Sequence, residues 1–220
     1  MKKFKIAMIV ILLISFVFAG VSLAFLSDTI PTHFGIDGNP DQFGSKYFVI
    51  AFPLVGLIVA VTMLLVCKYA KVSENYQKYT LLVGVCLQAL FFIMSVVFVI
   101  YGLIYTEDSQ TLEVSKIMMP LMGVLFIILG NFMPKVEKNS TLGTKTKWAL
   151  YNEVTWQKTQ RFTGFVSVVV GFIVIVVSFF FKDMVNFIIL MVLIFAFAVA
   201  STAASYKYYQ EEKAKESAER

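Results

Sequence analysis

Six windows of this sequence contain no aspartate, glutamate, lysine or arginine. They occupy residues 6–26, 47–67, 80–105, 117–133, 162–181 and 184–206. Each has roughly the 17–25 residues that an α-helix needs to cross the hydrocarbon core of a bilayer. A spanning segment of this length has to be helical, because lipid offers no partners to unpaired backbone groups. The windows therefore predict an all-α membrane protein, a bundle of six transmembrane helices.

Composition supports this prediction and excludes a soluble domain. The chain is 59% hydrophobic with a mean hydropathy of +0.79, whereas about half of a soluble protein is apolar. The net charge of +5 comes from the connecting segments. A nucleic-acid-binding protein would need its cations on one soluble face, so we expect no direct contact with nucleic acid.

The distribution of cations predicts the orientation of the chain. With a cytoplasmic N-terminus, cytoplasmic segments hold 16 of the 19 lysines and arginines, and only Lys46, Lys116 and Lys182 lie outside. Cytoplasmic loops of membrane proteins carry such an excess of positive charge. We therefore expect both termini in the cytoplasm and residues 27–46 and 106–115 outside.

The windows divide the chain into four parts. Residues 1–133 hold the first four spans and the outer loop 27–46, and residues 134–161 form a basic cytoplasmic loop. Residues 162–206 form a helical hairpin, and residues 207–220 a charged cytoplasmic tail that we expect to extend the last helix. The N-terminus also resembles a signal peptide. However, its apolar run continues to Leu26, longer than a typical signal sequence, so we expect it to be retained.

Residues 27–46 cannot remain in lipid, because they hold the single histidine of the chain, His33, with Asp37 and Asp41 close by. Proline and glycine interrupt this loop too often for a helix or a long strand; they are Pro31, Gly35, Gly38, Pro40 and Gly44. The Asp-Gly and Asn-Pro dipeptides at 37–40 are typical of turns. We expect a rigid, exposed recognition loop.

The same loop partly matches a calcium-binding motif. Asp37-x-Asn39-x-Asp41 fits the first three ligand positions, but Gln42 and Phe48 replace the required glycine and glutamate. A divalent-metal site of His33, Asp37 and Asp41 is an alternative, although zinc usually has better ligands. We favour hydrogen bonding of these side chains within the loop, and expect no metal or other cofactor.

The basic loop 134–161 holds both tryptophans, Trp148 and Trp156, among six cations. Tryptophan with interspersed cations is typical of a segment at the headgroup layer. The sequence leaves open whether these residues only anchor the loop at the membrane or form a docking surface. Asn152 is a suitable N-cap for a short helix that ends near Phe162.

Small and polar residues within the windows predict contacts between helices. Gly123 and Gly130 are seven residues apart in the fourth window, and Gly164 and Gly171 repeat this spacing in the fifth. Small residues at such spacing allow two helices to approach closely. Gln88 in the third window is expected to form a hydrogen bond to a neighbouring helix.

No catalytic set stands out. The sequence has no HExxH motif, no phosphate-binding glycine loop and one histidine, and its windows contain no carboxylate. Little is left for general acid–base catalysis or for an ion-coupled transporter, which generally keeps an ionisable residue at depth. We expect a protein that is not an enzyme, with a membrane enzyme or carrier for a cell-envelope lipid as an alternative.

Two stretches of the chain resemble the bacterial SdpI-type immunity protein family. The first is Ile-Pro-Thr-His-Phe-Gly-x-x-Gly-x-Pro-Asp-x-x-Gly-Ser-Lys at residues 30–46. The second runs from Gly-Asn-x-Met-Pro-Lys at residues 130–135 through Leu142-Gly143, Trp148, Trp156 and Lys158-Thr159 to Arg161-Phe162-x-Gly164. Where the family often has Thr-His, this chain has Thr159-Gln160.

The resemblance implies a plasma-membrane protein that protects its bacterial producer from a secreted peptide toxin. In the family's namesake it also implies communication with a cytoplasmic repressor, so a membrane sensor that recruits a transcription regulator through loop 134–161 is a further alternative. The candidate toxin contacts are Pro31, Thr32, His33, Phe34, Asp37, Gly38, Asp41 and Lys46. The candidate inner-face residues are Asn131, Pro134, Gly143, Trp148, Trp156 and Arg161. We expect Phe34, Ile36 and Phe43 to offer apolar contacts, and the acids to attract cationic groups of the toxin.

Overall fold

A computed structural model of the chain describes residues 1–36, 38–69, 73–105, 115–139 and 142–218. Its six long helices confirm the predicted fold class, because each is long and apolar enough to cross a membrane. Two short strands separate the first two helices. The elements in order are α1 (Lys2–Ser22), β1 (Thr29–Phe34), β2 (Pro40–Ser45), α2 (Ala51–Tyr69), α3 (Glu74–Ile104), α4 (Ser115–Phe132), α5 (Glu153–Ser178) and α6 (Asp183–Ala218).

The chain divides into two compact units. Unit 1 comprises Met1–Met118 and Lys182–Met184, and unit 2 comprises Met119–Phe181 and Val185–Arg220. In unit 1, α3 packs against both α1 and α2. Buried within these contacts, Gln88 of α3 donates a hydrogen bond through Nε2 to the carbonyl oxygen of Gly56 in α2, at 3.2 Å. The predicted contact between helices at Gln88 is therefore confirmed.

The outer loop contains regular strands, which the sequence analysis did not predict. β1 and β2 pair in an antiparallel hairpin, with Thr29 opposite Ser45 and Phe34 opposite Pro40. The hairpin accommodates its prolines and glycines because each strand has only six residues. Pro40 begins its strand, a position where a missing N–H is tolerated. Gly38, with a φ of +81°, lies in the connecting turn, where positive φ favours glycine.

In unit 2, the glycines of α4 and α5 meet as their spacing predicted. A methyl group placed on Gly130 would lie 2.6 Å from the carbonyl oxygen of Gly164, and one on Gly123 equally close to that of Gly171. The backbones therefore approach more closely than any side chain would permit. Ser167 of α5 adds a hydrogen bond between the two helices, because its Oγ donates to the carbonyl oxygen of Phe126 at 2.8 Å.

The last two helices are longer than their charge-free windows. Asn152 caps α5 as predicted, and its side chain accepts a hydrogen bond from the backbone N–H of Thr155 at 2.8 Å. The helix does not end near Phe162, however, but continues without a break into the fifth window. α6 likewise extends through the charged tail to Ala218, which confirms the predicted helical extension.

Candidate functional site

The hairpin is anchored on α3 by its apolar side chains. The ring of Phe34 packs edge-on against Tyr101 and Phe98, with centroid distances of 4.8 and 5.6 Å. Ile30 is completely buried and lies against α3 at Gly102, where an added Cβ would be 3.1 Å from the Ile30 side chain. Phe34 is therefore an anchor of the hairpin, and its predicted contact with a toxin stays a prediction.

The base of the hairpin is closed by Asp28 and Lys46. The backbone N–H of Lys46 donates to the carbonyl oxygen of Asp28 at 3.0 Å, and the Lys46 ammonium lies 3.0 Å from the Asp28 carboxylate. Thr32 links the strands through a 3.3 Å hydrogen bond from its Oγ1 to the carbonyl oxygen of Gln42. Pro31 and Gly38 are buried. These four predicted site residues therefore maintain the shape of the hairpin.

The exposed face of the hairpin carries a hydrogen-bonded pair of side chains, His33 and Asp41. His33 Nδ1 lies 2.6 Å from Asp41 Oδ1, and both side chains are at least half exposed. The expected hydrogen bonding of His33 within the loop is thus confirmed. Ile36 and Phe43 of the same hairpin are also exposed. The face therefore combines a carboxylate with apolar side chains.

Asp37, the remaining predicted hairpin residue, lies outside the described residues. Among the described residues, no three His, Cys, Asp or Glu side chains are grouped closely enough to hold a metal ion. Residues 106–114 also lie outside the described residues, so the outer location predicted for this loop stays a prediction.

The fold brings Asp183 to the tip of the hairpin, although the sequence did not indicate this residue as part of the site. A methyl group on Gly38 would overlap the Asp183 carboxylate, so only glycine fits there. Asp183 begins α6 and belongs to unit 1 with the hairpin. Asp183 lies in the two-residue junction between the fifth and sixth charge-free windows, and nothing in the sequence connects it with Gly38.

A second folded region lies in unit 2 between α4 and α5. Trp156 is completely buried, and its indole Nε1 donates a 2.8 Å hydrogen bond to the carbonyl oxygen of Val136. The side chain of Trp156 is therefore not exposed at the headgroup layer, so it does not take the anchoring role, one of the two roles that the sequence left open for the tryptophans. Tryptophan buries a large apolar area and needs a partner for its N–H when it is buried. The carbonyl oxygen of Val136, in the segment after α4, is that partner.

Gln160 fixes the middle of this region, and the sequence analysis did not select it. Its amide oxygen accepts from the backbone N–H of Thr144, and its amide nitrogen donates to the carbonyl oxygen of the same residue, both at 3.0 Å. Gly143, with a φ of +98°, lies against the Gln160 side chain with no room for a Cβ. The available signal was the departure at Thr159-Gln160 from the Thr-His pattern that the resemblance led us to expect.

The other predicted inner-face residues have separate surroundings. Asn131 donates to the carbonyl oxygen of Ile127 in its own helix at 2.9 Å, and Arg161 is exposed on α5. Pro134 lies against Gly164, where an added methyl group would be 2.9 Å from its Cδ. Trp148 contacts Tyr206 of α6 edge-on, with ring centroids 5.0 Å apart. The structure therefore brings Gly143, Pro134 and Trp156 into the packing of one region, and leaves Asn131 and Arg161 at its surface.

The charged end of α6 packs against the start of α5. Lys158 donates to Glu212 at 2.8 Å, and Tyr151 donates to Glu216 at 2.6 Å. The hydrogen bond to Glu212 raises the pKa of Lys158, and hydrogen bonds from Lys158 and then Lys215 lower the pKa of Glu212. The tail is therefore part of unit 2 as far as Ala218.

Comparison with known proteins identifies the family. The model of the SdpI/YfhL protein family matches residues 135–205, and that of a domain of unknown function, DUF1648, matches residues 10–57. The immunity protein SdpI of Bacillus subtilis (strain 168) is 33% identical over 222 residues, which cover 96% of this chain and 98% of that protein. No solved structure matches the chain. The chain therefore belongs to the SdpI family and is a multi-pass protein of the bacterial cell membrane.

Proposed function

We propose that this protein is a non-enzymatic immunity factor that protects its cell from a secreted antimicrobial peptide by binding the peptide at the β-hairpin. The observation that carries the proposal is the similarity to an immunity protein over 96% of the chain, hairpin included. The hairpin is the part of unit 1 that is both folded and rich in polar groups outside the apolar helices.

The geometry of the hairpin suits capture of a cationic, amphipathic peptide. Because Phe34 and Ile30 fix the hairpin on α3, its exposed face is preorganised, and little conformational entropy is lost on binding. Asp41 offers a carboxylate for a cationic group, while Ile36 and Phe43 offer apolar surface. A peptide held there is kept from inserting into the bilayer.

We expect Asp41→Asn to weaken protection while leaving the hairpin folded. Asparagine keeps the shape of the side chain and its turn preference but removes the charge. A lost charge-assisted hydrogen bond of about 1.5 kcal/mol corresponds to about tenfold in affinity. The measurement is the inhibitory concentration of purified secreted peptide toxins against a sensitive host that expresses each variant. The loss should be largest at low ionic strength, where screening is weakest.

Asp28→Asn is the matched control for this experiment. It removes one carboxylate from the base of the same loop. The Asp28 side chain is 95% exposed, so its ion pair with Lys46 contributes little to stability, and we expect protection to be unchanged. Asp37→Asn tests the remaining acid. If Asp41→Asn and Asp37→Asn both protect as well as the parent at equal membrane abundance, the hairpin does not bind through its acids.

The proposal also requires the hairpin to face outward. We expect a cysteine at exposed Gln42 to react with a membrane-impermeant thiol reagent on intact cells, and one at exposed Ser217 to react only after lysis. The background variant has Cys67 and Cys86 replaced by alanine. The reverse labelling pattern would place the hairpin in the cytoplasm and refute toxin capture there.

A second candidate function is signalling through the region that contains Trp156 and Gln160. It is supported by the hydrogen bonds that hold the backbone of Thr144 and Val136 in place, since an ordered surface is what a protein partner recognises. The test is whether a soluble transcription regulator moves to the membrane fraction when the parent chain is expressed, and stays soluble with Gly143→Val.

A further inference from the structure

An open apolar groove runs along α6 in unit 2. It has a volume of 450 Å³ and walls that are almost entirely apolar, formed by Trp148, Ala198, Val199, Thr202, Ala203 and Tyr206. The five α6 residues are spaced so that they lie on one face of the helix. Ala198 and Ala203 are small, so the helix surface is hollow between the larger side chains.

Trp148 forms the wall of the groove opposite α6. Its ring lies edge-on to Tyr206, and the turn that carries it is tied to α6 because Thr146 Oγ1 donates to Ser205 Oγ at 2.8 Å. Tryptophan and tyrosine concentrate at the depth of the lipid headgroups in membrane proteins. The end of the groove at Trp148 and Tyr206 therefore lies at the membrane interface. The other end, at Ala198 and Val199, extends into the apolar part of α6.

A cation lies beside Trp148, the residue at the interfacial end of the groove. The Lys147 ammonium lies 5.3 Å from the centroid of the Trp148 ring, and its side chain is exposed. The apolar groove thus leads to a positive charge at headgroup depth. This arrangement is complementary to a molecule with a long apolar chain and an anionic head.

We propose that this groove binds one anionic phospholipid, with an acyl chain along α6 and the phosphate at Lys147. The site is independent of toxin capture by the hairpin. Charge favours the lipid over a second copy of the protein. In a dimer with its twofold axis along the membrane normal, the two Lys147 side chains would lie at the same depth and repel each other. An anionic headgroup neutralises that charge.

The test uses the intrinsic fluorescence of the full-length protein in vesicles. The chain has two tryptophans, and Trp156 is buried away from lipid, so quenching that is lost in Trp148→Phe belongs to Trp148. The protein is reconstituted with increasing fractions of phosphatidylglycerol or phosphatidylcholine brominated on the acyl chains. We expect brominated phosphatidylglycerol to quench Trp148 at about a fivefold lower fraction than brominated phosphatidylcholine, the preference that one cation near an anionic surface provides.

Two variants and a control separate a specific site from general attraction of anionic lipid. Lys147→Gln should remove the preference, and Ala203→Leu, which fills an exposed part of the groove, should reduce quenching by both lipids. Lys207→Gln removes one exposed cation from α6 outside the groove and should change neither. Equal quenching by the two lipids in the parent, or a preference that survives Lys147→Gln, would overturn the proposal. Absence of quenching by both lipids would also overturn it, because something other than lipid would then cover the groove.

Discussion

Replacing Trp156 with alanine is expected to destabilise the protein by about 3–5 kcal/mol, the usual cost of removing a fully buried aromatic side chain. The indole is completely enclosed, so its removal leaves a cavity. It also leaves the carbonyl oxygen of Val136 without its hydrogen bond, and a buried unpaired acceptor adds to the cost. Membrane abundance and thermal stability in detergent should both fall sharply.

Trp148 provides the comparison within the same region. Its side chain is partly exposed along the groove on α6, so Trp148→Ala should cost much less stability than Trp156→Ala. Trp156→Phe should lie between them, because phenylalanine keeps most of the packing but cannot donate to Val136. Equal losses of stability for Trp148→Ala and Trp156→Ala would contradict this expectation, because they would show that the buried and the partly exposed tryptophan contribute equally to packing.

We expect Gly130→Leu to disrupt unit 2 by forcing α4 and α5 apart. Even the first side-chain carbon would lie 2.6 Å from the carbonyl oxygen of Gly164, a backbone atom that cannot move independently. Overpacking a close contact typically costs about 1–3 kcal/mol, and leucine adds a branched side chain beyond the Cβ. Gly164→Leu should have an equal effect, because its Cβ would meet the carbonyl oxygen of Gly130 at 2.5 Å.

Gly20 is the matched control for this experiment. It lies within α1, and a Cβ added there would have no neighbour within 4 Å. Gly20→Leu should therefore be neutral or slightly stabilising, because glycine inside a helix costs about 0.5–1 kcal/mol relative to alanine. The readout is the midpoint of thermal unfolding in detergent, followed by size-exclusion chromatography. A loss at Gly20 as large as at Gly130 would mean that helix propensity and lipid contact, rather than the close crossing, explain the effect.

Local patterns predicted the features that depend on neighbours in the sequence. The charge-free windows predicted six spanning helices, because the cost of burying charge in lipid applies to each segment separately. Asn152 was recognised as a cap because its partner, the Thr155 N–H, is three residues away. The close crossing of α4 and α5 was also predicted, because Gly123 and Gly130 have the same spacing as the two glycines of α5 and small residues allow close approach.

Some features that join distant segments escaped prediction. The strands of the hairpin depend on pairing between two short segments, and their prolines and glycines obscured any alternation of polar and apolar residues. The burial of Trp156 was not predicted, because the sequence shows its residue type and charged surroundings but not the backbone carbonyl of Val136 that accepts its N–H. Gln160 was missed for the same reason, since its partner is the backbone of Thr144, and any residue type presents the same backbone groups.

The sequence by itself determined the fold class, the number of spans and the helix faces that carry small residues. These properties follow from the apolar character and the length of each segment. These two quantities determine whether a segment spans the membrane as a helix before any tertiary contact forms. Only the tertiary structure decided which polar groups are exposed. It pairs His33 with Asp41 on the open face of the hairpin, buries Pro31 and Gly38, and brings Asp183 to the hairpin tip. Exposure is a property of packing between segments far apart in the chain, so the pattern within one segment does not contain it.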